Sequence, residues 1–113
     1  MARLEGYRFG RIVVDGQEQT RDLIVLPNRV VTNWWRKDGH GLVLDDLEEV
    51  LDELPPRLIV GAGALERLRP DPGTVQTLAE RGIEVEVLPT PQAVARYTSS
   101  DHAVVAAALH LTC

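Results

Sequence analysis

The chain has 113 residues, is 44% hydrophobic and carries a formal net charge of −5. That length fits one domain over residues 1–113, and the acidic balance argues against nucleic acid and against an anionic membrane surface, both of which draw on clustered Lys and Arg. A lone cysteine, Cys113, excludes an intrachain disulfide, and the sequence holds neither an apolar membrane span nor an apolar signal region, so a cytoplasmic location is expected.

Tyr7 to Val14 read as a strand closed by the turn pair Asp15-Gly16. Gln17 to Leu26 read as its hairpin partner, ending in the apolar run Leu23-Ile24-Val25-Leu26 that suits burial on both faces. Arg29 to Trp35 form a third extended piece, favoured by Val30 and Val31. Asp45 to Leu54 read as the clearest helix, because Leu47, Val50, Leu51 and Leu54 follow the i, i+3, i+4, i+7 spacing. Its acidic opposite face reads as solvated surface, and Pro55-Pro56 stops it.

Arg57 to Val60 read as a buried strand running into Gly61-Ala62-Gly63. Asp71 caps a helix with Pro72 at its first position, and Gly82 ends it after Arg81. Ile83 to Leu88 alternate as a strand, Thr90 caps and Pro91 starts a short helix through Tyr97, and Ala103 to Leu111 close the chain as a strand. The second half is therefore a β-α-β-α-β unit with parallel strands, joined to an antiparallel first half in a mixed sheet. The fold class is α/β.

The densest chemistry lies in Asn33-Trp34-Trp35-Arg36-Lys37-Asp38-Gly39-His40. The chain has five aromatic residues, and two are these adjacent tryptophans, which a strand would send to opposite faces. Arg36 can grip an anion with two hydrogen bonds and His40 can exchange a proton near neutral pH; the alternative is a surface loop with incidental neighbours. Gly61-Ala62-Gly63 lacks the third glycine of a dinucleotide fingerprint, since Glu66 stands there, so it reads either as the border of a ligand crevice or as a tight structural turn. Thr90-Pro91 reads as an anion-binding helix start or as simple capping. His110 and Cys113 would point to opposite faces of a strand and are too few for zinc, so no metal and no cofactor are expected. No complete catalytic set stands out.

The ordered pieces Pro27-Asn28, Asn33-Trp34-Trp35-Arg36, Gly39-His40, Leu58-Ile59-Val60-Gly61-Ala62-Gly63, Arg81-Gly82-Ile83-Glu84-Val85, Pro89-Thr90-Pro91-Gln92-Ala93, Tyr97 and Ala107-Ala108-Leu109-His110 resemble the family known as domain of unknown function 498. This chain departs from the family pattern in having Ala62 where a threonine is usual and Thr98 where an asparagine is usual. The family includes the adipogenesis-associated domain protein and a mitochondrial assembly factor for respiratory complex I, whose role is not carried over to this chain. The resemblance implies a single three-layer α/β domain whose antiparallel N-terminal hairpin makes a hammerhead-like excursion from the mixed sheet.

Two functional expectations follow. The leading one is a non-catalytic binding or assembly-type domain that self-associates or takes a protein partner, prompted by an exposed-tryptophan candidate and an open sheet edge. The alternative is a small-ligand-binding protein or enzyme for an anionic metabolite, with a crevice between Trp35, Arg36 and His40 on one side and Gly61, Gly63 and Thr90 on the other.

Overall fold

The parallel β-α-β-α-β unit sits as expected, and it forms because each of its boundaries has a local cause. The computed structural model describes residues 2–113. Among the described residues ten strands run in the order β1 (Leu4–Arg8), β2 (Arg11–Val14), β3 (Gln17–Gln19), β4 (Leu23–Val25), β5 (Val30–Val31), β6 (Gly41–Leu42), β7 (Arg57–Gly61), β8 (Arg69–Pro70), β9 (Glu84–Leu88) and β10 (Val105–Leu109). Helix α1 (Pro72–Glu80) has Asp71 as N-cap, its carboxylate accepting from Gly73 N–H, and Pro72 at the first position. Helix α2 spans Thr90–Thr98.

The central sheet has the order β5-β4-β10-β7-β9, with β10, β7 and β9 parallel, β4 antiparallel to β10, and β5 antiparallel to β4. Alternation along its strands divides the core in two. Ile24, Leu58, Val60, Ala106 and Ala108 face one layer, with Leu47, Val50 and Leu78 packed on them. Leu23, Val25, Ile59, Val105, Ala107 and Leu109 face the other, under Ala93 and Tyr97 of α2 and under Ile12 and Val14. Two covered faces explain why Leu58–Gly61 of β7 and all of β10 carry no polar side chain. Gly61 at the end of β7 lets the α2 layer approach closely: a Cβ there would stand 2.9 Å from Leu109 and 3.1 Å from the Thr90 hydroxyl. No helix among the described residues is long and apolar enough to cross a membrane.

The first half departs from the expected strands at three points. The stretch Tyr7 to Val14 is two strands, because Phe9-Gly10 turns the chain with Gly10 at φ +83°; β1, β2 and β3 make a separate antiparallel sheet. Gln17 to Leu26 is likewise divided: β3 belongs to that outer sheet and β4 to the central one, with Thr20–Asp22 crossing between them. The extended piece from Arg29 holds only Val30–Val31, because Asn33 adopts a left-handed conformation (φ 56°) that a short polar side chain tolerates and a strand does not. The outer three-stranded sheet is the excursion expected of the N-terminal hairpin.

The acidic helix exists but is a 3-10 helix over Leu44–Glu53. At three residues per turn Leu44, Leu47 and Val50 align, and Leu47 and Val50 are the buried pair. Its i, i+3 and i, i+4 carboxylates repel each other, which weakens the α-helical alternative. The Asp46 carboxylate accepts from the main-chain N–H groups of Val43 and Lys37 and so ties the helix start to the tryptophan loop.

The end of the chain is clamped on several sides. His110 N–H donates to Gly61 O, Ala64 N–H to Thr112 O and Arg67 N–H to Cys113 O, while Gly10 N–H and the Tyr7 hydroxyl both donate to Leu111 O. Gly63 sits at φ +97°, and a Cβ there would collide with the Cys113 main-chain carbonyl group. The glycine turn is thus closed over by the chain's own last residues. Gly63→Ala is expected to lower stability by at least about 1–3 kcal/mol, the range of backbone strain alone, read as a reduced denaturation midpoint with an unchanged m-value; an unchanged midpoint would refute this close approach.

Candidate functional site

The register β4–β10 pairs Leu23 with Leu109, which sets Asp22 opposite His110 at the carboxyl end of β10. Three donors converge on the Asp22 carboxylate. Oδ2 lies 2.6 Å from Arg36 NH1 and 2.8 Å from His110 Nδ1, and Oδ1 accepts from Leu111 N–H at 2.9 Å. Burial pushes the Asp22 carboxyl up, but the hydrogen bonds from His110, Leu111 and Arg36, with the Arg36 charge, outweigh it and hold the group below the ordinary carboxylate range.

Arg36 is enclosed. Its side chain is only 4% exposed, with NH2 2.9 Å from Gly39 O and the guanidinium stacked 4.9 Å from the centre of the Trp34 ring. Trp34 is buried, and its indole N–H donates to Asp46 O. NH2 of Arg36 also lies 3.1 Å from His110 Nδ1. A guanidinium only donates and an ionised carboxylate only accepts, so the hydrogen on Nδ1 points to Asp22 and the Arg36–His110 approach is a packing contact. In the neutral ring the Nε2 lone pair of His110 is then left facing away from Asp22.

Trp35 is the tryptophan turned outward, 70% exposed, with the Arg21 guanidinium 5.9 Å from its ring centre. It lines a cleft of about 370 Å³ together with Arg21, Asp22, Arg36, His110 and Thr112. It also lines a second depression of about 540 Å³ bordered by Lys37, Asp45 and Glu49.

Of the residues singled out in the sequence, Arg36 and His40 both reach His110: the His40 ring lies edge-on to that of His110, centroids 6.3 Å apart. Gly63 is beside the same ring, since a Cβ there would stand 2.9 Å from His110 Cδ2. Gly61 packs against Leu109 and Thr90. Thr90 is completely buried and is not a capping residue: its hydroxyl donates to His110 O at 2.6 Å and accepts from Gly63 N–H at 2.8 Å. His40, Gly61, Gly63 and Thr90 stand around His110 and outside the lining of the Trp35 cleft.

The expectation that His110 and Cys113 point apart is corrected. Strand β10 ends at Leu109, and the following residues turn against the 61–67 segment, so strand alternation no longer holds. Cys113 Sγ lies 3.4 Å from His40 Nε2, and one ligand atom from each of His40, His110 and Cys113 falls within 4.8 Å of the others. Asp22 was not singled out by sequence reasoning at all. The one signal it carried is a carboxylate placed directly before a doubly buried strand, where a charge requires partners.

These features define a small α/β protein with a polar cluster at the carboxyl ends of parallel strands, the usual place for a site in such sheets. Residues 4–110 match the family described as a protein of unknown function (DUF498/DUF598), and the chain belongs to that family. It is similar to a conserved hypothetical protein, PH1505, from Pyrococcus horikoshii OT3, with 26% identity, a TM-score of 0.82 and coverage of 98% of this chain and 99% of that one. It is similar to the protein MT938, with 30% identity, a TM-score of 0.78 and full coverage of both chains. It shares its fold with a protein described as an outer membrane protein from Bartonella henselae, with 23% identity, a TM-score of 0.80 and coverage of 99% and 96%.

Two substitutions test the cluster. Asp22→Asn removes the acceptor charge from a half-buried pair and is expected to destabilise by about 1–3 kcal/mol at neutral pH. Because the folded-state pKa of Asp22 is depressed, its contribution is present above the unfolded carboxyl value of about 4 and is lost as pH falls through and below it; the gap between parent and variant, measured by urea denaturation across that range, should therefore narrow on acidification. A gap independent of pH would contradict the assignment. Thr90→Val keeps the shape but strands Gly63 N–H and His110 O, with an expected loss of about 1–3 kcal/mol in the same assay.

Proposed function

We propose that this chain is a non-catalytic binding or assembly-type module whose recognition surface is centred on Trp35, taking a protein partner or a second copy of the chain. The observation that carries the reading is Trp35 itself: an indole 70% exposed, on a backbone fixed by the burial of its neighbour Trp34 and by the Arg36–Asp22 pair. A single exposed apolar residue is ordinary on a protein surface. Here the indole borders two concave surfaces and stands beside Arg21, and tryptophan and arginine are the residue types that dominate binding energy at protein interfaces. The enclosure of Arg36 supports the same reading, because both ends of its guanidinium fork are held within the protein and cannot grip an anionic substrate.

The small-ligand alternative keeps one specific support. The cleft beside Trp35 has a volume within the roughly 300–1,000 Å³ range of ligand pockets, and the buried Nε–H of Arg36 has no acceptor among the described residues. On that reading Trp35, Arg36 and His110 meet the ligand.

Trp35→Ala separates the two. It is expected to change folding stability by no more than about 0.5 kcal/mol, as exposed substitutions do. Self-association in sedimentation velocity, or quantitative capture of a partner from native extract, should weaken at least about tenfold. Unchanged association by the variant would remove the binding-module reading, and a metabolite that raises the melting temperature of the parent alone would favour the small-ligand one.

A further inference from the structure

We propose that His40, His110 and Cys113 form a binding site for a divalent transition-metal cation of the zinc class, next to the Trp35 cleft that His110 also lines. Two imidazoles and one thiolate are a donor set that suits such ions and is poor for magnesium or calcium, which prefer oxygen.

The geometry supports the set. Zinc–nitrogen bonds of about 2.1 Å and zinc–sulfur bonds of about 2.3 Å at a tetrahedral angle place nitrogen and sulfur roughly 3.5 Å apart. His40 Nε2 and Cys113 Sγ already stand 3.4 Å apart, and the three donor atoms lie within 4.8 Å of one another, a spread that modest side-chain rotation closes around an ion. Each donor is carried by fixed backbone. His40 N–H donates to the Asp38 carboxylate and its carbonyl accepts from Arg69 N–H; Cys113 O accepts from Arg67 N–H; His110 N–H donates to Gly61 O.

Asp22 gives the site its second layer. It accepts from His110 Nδ1 at 2.8 Å, which orients the ring and leaves Nε2 as the nitrogen for the metal, the carboxylate–histidine arrangement typical of ligating histidines. The Asp22 carboxylate also offsets the nearby Arg36 charge, which would otherwise oppose a cation. His40 is exposed and Cys113 half-buried, so an ion can enter from solvent. Three protein donors leave a fourth position for water or an exogenous ligand.

The test uses the full chain, treated with chelator and kept reduced by a phosphine. Titration with Co(II), followed by competition with Zn(II), is expected to give one ion per chain. The cobalt form should show a thiolate-to-metal charge-transfer band and the intense visible bands of tetrahedral Co(II). Cys113→Ser should abolish the charge-transfer band, and His40→Ala, at an exposed loop position, should weaken binding about tenfold or more. Circular dichroism of the two variants checks that both remain folded. Bound Zn(II) should also slow alkylation of Cys113 in the parent and not in His40→Ala. Absence of saturable binding, a stoichiometry of one ion per two chains, or equal binding by parent and both variants would each overturn the site.

Discussion

A half-buried carboxylate at the crossing between two sheets organises this molecule. Asp22 lies where the chain crosses from the outer three-stranded sheet to the central one, and it accepts from Arg36, His110 and Leu111 together. Removing a charge from water is expensive unless every lone pair finds a donor, so this position is stable only when the tryptophan loop, the crossing segment and the chain end are all in place. Arg36 in turn stacks on Trp34, whose indole N–H is held by the 3-10 helix. One interaction therefore couples four segments distant in sequence.

The same constraint explains which features of the site are free and which are not. Arg36 belongs to the scaffold, which removes the most obvious anion-binding group from the surface. Gly63 and Thr90 serve the packing of the chain end, one by lacking a Cβ and the other by bridging Gly63 and His110 with a single hydroxyl. What these contacts leave available is Trp35 on the outside and the His40, His110 and Cys113 donors at the carboxyl ends of β7 and β10.

The second half of the fold was legible because its boundaries are written locally: Asp71-Pro72 for the start of α1, Gly82 after its end, alternation in β9 and an unbroken apolar run in β10. The first half was less so. Phe9-Gly10 and Thr20–Asp22 lie inside apolar or extended-looking stretches, and only the packing of two different sheets shows that the chain turns there. The acidic helix was found at the right place but as the wrong kind, since i and i+3 positions align in a 3-10 helix as well as in an α-helix. The tryptophan loop pointed to the site, whereas Asp22, His110 and Cys113 did not: Asp22 and His110 are 88 residues apart, and no local pattern records their meeting.

If Asp22 sets the orientation and protonation of His110, the imidazole itself must report it. Long-range proton–nitrogen NMR of the histidine side chains in metal-free protein at neutral pH distinguishes the two ring nitrogens directly. The structure predicts that His110 carries its hydrogen on Nδ1, toward Asp22, with Nε2 bare. A bare Nδ1 with the hydrogen on Nε2 would mean that Arg36 donates to the ring and that Asp22 does not hold it, and the account of this cluster would fail.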